Sequence, residues 1–242
     1  MATRHSRIVW SGLRAVKGAG KGPPRYTGLT MHIDIAAVSP GRAYRLLISA
    51  VVPRPIAFVS SLSAEGRRNL APFSFFMGVG SHPPTLAISV IQRQGAFKDT
   101  ARNIFDTGEF VVNAATESLA ESVCRASGDY APDIDEFELT GLTPVSSERV
   151  RPPRVAESPW SLECRLYRSM KIGEHEAASH LIVGEVLFAH VRDDLWSEGM
   201  VDAERLRPIS RLGANLYATL GRVFALDRPK VDAEGRPLRE DG

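Results

Sequence analysis

The most informative parts of this sequence are two short stretches, PRPIAFVSS at Pro53–Ser61 and NLAPFSFF at Asn69–Phe76. In the first stretch, Arg54 stands between two prolines, whose restricted φ angles fix the direction in which the chain enters the apolar run that follows. That run is rich in β-branched and aromatic residues and ends in paired hydroxyls, Ser60 and Ser61. The pattern predicts a strand with polar groups at its end.

The second stretch has an apolar run that contains Pro72. Because proline has no N–H, it leaves one strand position without a ladder donor, which predicts an edge strand or a bulge where backbone groups can face a ligand. The neighbouring residues offer aromatic walls together with backbone donors and acceptors, as a flat and partly polar ring system requires. The candidates for this role are Ala71, Pro72, Phe73, Ser74 and Phe75.

A third signal, Lys98-Asp99-Thr100, stands where helical spacing begins. A phosphate prefers cations, hydroxyl donors and free backbone N–H groups at a helix N-terminus. Arg54, Ser60, Ser61, Lys98 and Thr100 supply these groups. Together with the ring-binding candidates, they predict a site for a phosphorylated aromatic cofactor.

Taken one at a time, these residues have ordinary structural explanations. Arg54 alone is typical of a surface salt-bridge partner, the two serines of a solvated strand end, and Phe73 and Phe75 of a core. Lys98-Asp99-Thr100 alone is equally typical of a plain helix start. Their ordered combination favours the cofactor site.

The rest of the chain predicts a mainly β protein with peripheral helices. Several apolar runs have consecutive rather than alternating apolar residues, which predicts strands covered on both faces, as in a closed or partly closed barrel. The predicted strands are Pro55–Leu62, Pro84–Ile91, Glu109–Ala114, Leu162–Arg168 and His180–Val191. The predicted helices are Gly41–Leu47, with Ser39 as N-cap and Pro40 at the first position, Asp99–Asp106, Glu117–Ala126 and Glu204–Leu220.

Length and composition favour one domain, because 242 residues of which 43% are apolar can bury one sizeable core. The net charge of +2 gives no reason to expect a nucleic-acid or membrane surface. Residues 1–30 contain basic residues but no Asp or Glu, so a nucleic-acid arm, a targeting peptide and a disordered leader all stay open, and Met31 before the first patterned segment favours the leader. No apolar run reaches the length of a membrane span, and we expect a cytoplasmic protein.

No metal site is predicted. The two cysteines, Cys124 and Cys164, are too few for a four-ligand zinc site. His175 and His180 are five residues apart, whereas the zinc-protease helix motif requires a separation of four. No nucleophile motif or catalytic triad is present either, so we assign no catalytic residue.

With these motifs in place, the chain resembles the flavin reductase-like, FMN-binding split-barrel family, including its flavoredoxin-like members. The resemblance rests on the two opening stretches, on Lys98-Asp99-Thr100 and on Phe110-Val111-Val112-Asn113, and continues to Arg211-Leu212-Gly213 and Tyr217. It covers about residues 31–230, with residues 1–30 as a leader and 231–242 as a charged tail.

The resemblance implies a six-stranded antiparallel Greek-key split barrel that forms a homodimer with FMN near the subunit interface. It implies a cofactor site made of Arg54, Pro55, Ser60, Ser61, Asn69, Ala71, Pro72, Phe73, Ser74, Phe75, Lys98, Asp99, Thr100 and Asn113, with Arg211 and Tyr217 as further candidates. The implied function is an NAD(P)H-dependent flavin reductase that moves hydride through the flavin N5, and such hydride chemistry belongs to the cofactor.

Two other functions stay open at this point. One is a flavoredoxin-like protein that passes electrons to a protein partner without nicotinamide turnover. The other is a flavin-binding or storage protein without turnover. The sequence does not distinguish NADH from NADPH, prosthetic from exchangeable FMN, or one final electron acceptor from another.

Overall fold

The computed structural model describes residues 31–174, 176–236 and 238. The chain divides into two compact units, Met1–Tyr44 and Arg45–Gly242. The described part of the first unit contains a short 3-10 helix, Ile35–Ala37, which Asp34 caps. The predicted leader, residues 1–30, and most of residues 237–242 of the predicted tail lie outside the described residues.

The second unit is mainly β, as the sequence predicts. Helix α1 is Pro40–Ala50, of which Pro40–Tyr44 belong to the first unit. The later helices are α2 (Asp99–Thr107), α3 (Ala120–Arg125), α4 (Glu136–Thr140) and α5 (Ala203–Leu206), with 3-10 helices at Glu117–Leu119 and Asp193–Leu195. The strands are β1 (Arg54–Pro55), β2 (Ala57–Leu62), β3 (Arg68–Phe73), β4 (Phe76–Ser81), β5 (Pro84–Ile91), β6 (Glu109–Ala114), β7 (Pro144–Val145), β8 (Arg154–Val155), β9 (Trp160–Ile172), β10 (Ser179–Val191), β11 (Trp196–Ser197), β12 (Met200–Val201), β13 (Ile209–Arg211) and β14 (Tyr217–Thr219). Within the described ranges, no helix is both long and apolar enough to span a membrane.

A seven-stranded antiparallel sheet in the order β3-β2-β6-β9-β10-β5-β4 forms the body of this unit. Strand β5 lies beside β10, although β6 follows it in the chain, so β5, β6, β9 and β10 have the order of a Greek key. The resemblance implies six strands in the barrel, whereas this continuous sheet has seven because β4 pairs with β5 at one edge. Strand β3, which carries Pro72, forms the other edge, as the missing N–H predicts.

The central strands are covered on both faces. In β2, Ala57 and Val59 face a cluster that also contains residues of β5, β6, β9 and β10 together with Ile104 of α2. Phe58 between them faces a second cluster, which includes Leu70 and Phe137. This double coverage explains why the strand sequences have consecutive rather than alternating apolar residues.

The predicted strands and three of the four predicted helices are confirmed, with shifts of a few residues at their ends. The helix predicted at Glu204–Leu220 is wrong. Helix α5 ends at Leu206, because Arg207 is left-handed with φ 50° and Pro208, which lacks an N–H, follows it. The remainder forms β13 and β14, which extend a small sheet from β1. Strand β3 was predicted only as an edge strand or bulge around Pro72, and β4 was not predicted.

A fully buried carboxylate, Glu163 of β9, organises the segment before β8. It accepts hydrogen bonds from the backbone N–H groups of Glu148 at 2.7 Å and Arg149 at 2.6 Å. His190 of β10 lies 2.6 Å from the same carboxylate. Burial of Glu163 favours its neutral form, but these hydrogen bonds outweigh burial and lower the pKa of Glu163.

Glu163→Gln is expected to reduce the free energy of unfolding at neutral pH by about 1–3 kcal/mol, since an amide replaces a carboxylate that accepts two N–H groups. Because the pKa of Glu163 is lowered on folding, its contribution is present above the unfolded-state pKa of about 4.3 and is lost as the pH falls through the folded-state value. Urea unfolding at neutral and acidic pH should show the difference from wild type shrinking with acidity. The control is Glu185→Gln on β10, and a difference that does not change with pH would contradict this role.

Gly184 of β10 has no side chain, and this leaves room in the core for Phe110 of β6 and Cys164 of β9. A Cβ at this position would lie 2.4 Å from Cζ of Phe110 and 3.3 Å from Cβ of Cys164, both fully buried. We expect Gly184→Ala to lower the free energy of unfolding by about 1–3 kcal/mol through overpacking. In the matched control, Gly78→Ala in β4, a Cβ meets nothing within 4 Å. Equal midpoints in urea for the two variants would refute the packing argument.

Candidate functional site

A cleft of about 330 Å³ lies where the edge strand β3, the N-terminus of α2 and the loop after α3 meet. This volume is within the range of small-molecule sites. Seven residues predicted for the cofactor site line it, namely Asn69, Ala71, Pro72, Phe73, Lys98, Asp99 and Thr100. The cleft is also lined by Arg93, Phe97, Arg102, Gly128, Asp129, Tyr130 and Glu136.

One wall of the cleft is the outer side of β3. The backbone N–H of Leu70 points away from β2 and donates to Oε2 of Glu136 at 3.0 Å. Pro72 has the same orientation two residues further on, so its missing N–H removes nothing from the ladder with β2. With Ala71 and Phe73, Pro72 gives the cleft an apolar wall beside an unpaired strand edge.

The opposite end of the cleft is polar and cationic. Helix α2 starts there without a side-chain cap, and Lys98 occupies its N-cap position. An uncapped helix N-terminus presents backbone N–H groups and a partial positive charge, and both attract anions. Thr100 follows in the first turn and is almost fully buried.

A buried hydrogen-bond network behind the cleft fixes its polar end. The Asn69 amide donates to Oγ1 of Thr100 at 2.9 Å and to Oγ of Ser61 at 3.2 Å. Ser61 also accepts a hydrogen bond from the amide of Asn103 on α2 at 3.1 Å. Ser61 is fully buried and does not line the cleft, so it acts on the site by holding β2, β3 and α2 in register.

Glu136 is a cleft residue that sequence reasoning missed. Burial raises the pKa of its carboxyl, and the negative charges of Asp99 and Asp135 act in the same direction, although the hydrogen bond from Leu70 opposes them. In the sequence, Glu136 follows Asp135, which caps α4, and is typical of a first-turn acidic residue. No local signal indicates that it reaches the edge of a distant strand.

The cations that line the cleft are engaged by carboxylates. Asp129 accepts from Nζ of Lys98 at 3.2 Å and lies 3.4 Å from a terminal guanidinium nitrogen of Arg93. Arg102 pairs with Asp99 at 2.5 Å. Sequence reasoning also missed Arg93 and Asp129, which enter the cleft from two separate loops.

Three predicted site residues, Arg54, Ser74 and Phe75, do not line the cleft. The buried guanidinium of Arg54 donates to the carbonyl of Ile48, to that of Val51 at 2.8 Å and to that of Leu212 at 2.9 Å. It also lies 3.4 Å from Oγ of Ser74 and 5.9 Å from the ring centroid of Phe75. Through these contacts Arg54 joins the end of α1 to the loop after β13. Contact of Arg54, Ser74 or Phe75 with a cofactor stays a prediction.

The remaining predicted residues fall in two other places. Pro55 pairs with Ser210 in the small sheet, where Arg211 lies 4.4 Å from the ring centroid of Tyr217. Ser60 and Asn113 are fully buried on the neighbouring strands β2 and β6 of the large sheet. The Asn113 amide donates to Ser60 at 3.2 Å and its oxygen accepts from Val155 N–H at 3.0 Å, so this pair secures the segment around β8. Their roles toward a cofactor stay predictions.

No cluster of three or more potential metal ligands occurs among residues 31–174, 176–236 and 238. Of the two histidines that resemble a zinc-protease motif, His175 lies outside these residues. His180 lies in β10 and contacts the rings of Phe97 and Phe105, at centroid distances of 4.9 and 5.5 Å.

Comparison with known proteins identifies the family. Residues 49–209 match the model of the flavin reductase like domain. Nitrilotriacetate monooxygenase component B from Bacillus cereus is 38% identical with a TM-score of 0.80, and the match covers 83% of this chain and 100% of that one. The 2-nitrobenzoate 2-nitroreductase of Pseudomonas fluorescens is 30% identical with a TM-score of 0.76, covering 88% and 100%.

A third solved structure bears on the fold alone. A protein from Shewanella frigidimarina that is described as having a split barrel domain is 23% identical with a TM-score of 0.72, over 82% of this chain and 100% of that one. The split-barrel prediction is thereby confirmed. The matched domain spans most of the chain and includes β3, α2 and the cleft between them. This chain therefore belongs to the flavin reductase-like family.

Proposed function

We propose that the cleft binds FMN and that the chain is an NAD(P)H-dependent flavin reductase. The observation that carries this proposal is the junction, in one cleft, of an apolar strand edge with an uncapped helix N-terminus and Lys98. A ring system and a phosphate need these two environments side by side. The names of two similar solved structures, a monooxygenase component and a nitroreductase, support a redox role.

The donor set of the cleft fits the phosphate of FMN. Lys98 supplies a charge, and the first turn of α2 supplies backbone N–H groups and the Thr100 hydroxyl. Asn69, which is fixed by Ser61 and Thr100, holds β3 against α2. The first turn of α2 is thereby kept in place for a charge-assisted contact.

The wall formed by Ala71, Pro72 and Phe73 fits the ring of the flavin. Its apolar side chains exclude water, and the carbonyl groups on the outer side of β3 can accept hydrogen bonds from a polar ring edge. When bound, the flavin itself supplies the hydride chemistry, and the protein binds and orients it. For this reason the proposal assigns no acid or base to the chain.

The proposal includes a homodimer that works in the cytoplasm. Apolar side chains are exposed on the outer half of β9, at Tyr167, Met170 and Ile172, and on the edge strand β4, at Met77 and Val79. Exposed apolar patches of this kind are typical of protein interfaces. A flavoredoxin-like electron carrier would use the same cleft, so the reaction with nicotinamide decides between the two functions.

The purified protein loaded with FMN is expected to lose its visible flavin absorption when NADH or NADPH is added without oxygen. The nucleotide that bleaches the flavin faster identifies the donor. Bound flavin that stays oxidised with both nucleotides would reject the reductase and favour the electron carrier. Failure to bind FMN at all would reject the cofactor assignment.

Lys98→Met is expected to weaken FMN binding by roughly tenfold. A charge-assisted hydrogen bond contributes about 1.5–3 kcal/mol, and the partial exposure of Lys98 favours the lower value. Riboflavin has the same ring but no phosphate, and its affinity should change little. Both affinities are measured by fluorescence titration, with Lys230→Met as a control far along the chain. Equal losses for the two flavins would show that Lys98 does not contact the phosphate.

A further inference from the structure

The carboxylate of Asp129 occupies the cationic end of the cleft. One of its oxygens lies 3.2 Å from Nζ of Lys98 and the other lies 3.4 Å from the guanidinium of Arg93. A phosphate monoester would use the same arrangement, with two oxygens of one anionic group on two cations. In this structure the charges that would attract a phosphate are therefore already neutralised from within the chain.

The loop that carries Asp129 is held in place by its neighbours. The hydroxyl of Tyr130 donates to the carbonyl of Arg125 at 2.8 Å, and the hydroxyl of Ser127 donates to that of Cys124 at 2.6 Å. The Tyr130 ring lies against Gly128, where an added Cβ would be 2.5 Å from the ring. Asp129 therefore stands between two fixed neighbours at the rim of the cleft, while its own side chain is about half exposed.

The two ion pairs of Asp129 are weak enough for a competing anion to replace its carboxylate. Each involves side chains that are between 42% and 57% exposed, and exposed ion pairs contribute little to stability. A phosphate dianion carries more charge than a carboxylate and can compete for the same cations. Arg102 remains paired with Asp99, so Lys98 and Arg93 are the cleft cations that Asp129 controls.

We propose that Asp129 is a specificity-determining residue that competes with the ligand's phosphate for Lys98 and Arg93. It lowers the affinity of the cleft for phosphorylated flavins and leaves the affinity for the ring unchanged. The inference rests on the proposed function. Its consequence is that the cleft holds FMN less tightly than it would without the Asp129 carboxylate.

The test is the affinity of Asp129→Asn for FMN and for riboflavin, compared with wild type by fluorescence titration. The expected result is that FMN binds roughly three- to tenfold more tightly to the variant, riboflavin binds as before, and the gain shrinks at high salt. The matched control is Asp133→Asn, which removes a charge from the same loop at a residue that does not line the cleft. Unchanged or weaker FMN binding by Asp129→Asn would overturn the proposal, and so would an equal gain for riboflavin.

A second measurement separates this inference from the flavin assignment. If neither flavin binds to any of the proteins, the proposed function fails, and inorganic phosphate then serves as the probe. A larger phosphate-induced rise in Tm for Asp129→Asn than for wild type and Asp133→Asn would support competition at Lys98 and Arg93. Equal rises, or none, would overturn it.

Discussion

An edge strand must satisfy the backbone groups that face away from its single neighbour, and the way β3 meets this constraint shapes the site. The carboxylate of Glu136 accepts a hydrogen bond from the outward N–H of Leu70, and Pro72 has no N–H that needs a partner. The side chain of Asn69 crosses to Thr100 on α2. Helices α2 and α4 are thus brought to the strand edge, and the cleft is the space that remains between them.

The sequence contains the signals for this arrangement where they are local. Consecutive apolar residues in β2 indicate two covered faces, and the structure has a core cluster on each. Proline at position 72 indicates an edge, and Lys98-Asp99-Thr100 indicates a helix start. The sequence predicts Asn69–Phe73 and Lys98–Thr100 as parts of one site, and in the structure residues of both segments line one cleft.

Contacts between distant segments could not be predicted in this way. The two prolines fix the direction of Arg54, but its partners include the carbonyl of Leu212, 158 residues away. Glu136 reaches the cleft from the first turn of α4 and Asp129 reaches it from the loop after α3, and both segments carry only capping and turn signals. The segment after Leu206 has helical spacing, yet it forms β13, which pairs with β1, and β14, which pairs with β13, because tertiary contacts override propensity.

In the hairpin of β9 and β10, the first half of β9 is more buried than its second half. The residues from Trp160 to Cys164 are buried or half-buried, whereas the residues from Tyr167 to Ile172 are exposed, although Arg168 to Ile172 remain paired with β10. Backbone hydrogen bonds without apolar burial give little local stability. In a single subunit, the amide hydrogens of the outer half should therefore exchange with solvent through local opening, while those of the inner half exchange only when the whole barrel unfolds. One continuous hairpin thus belongs to two cooperative units.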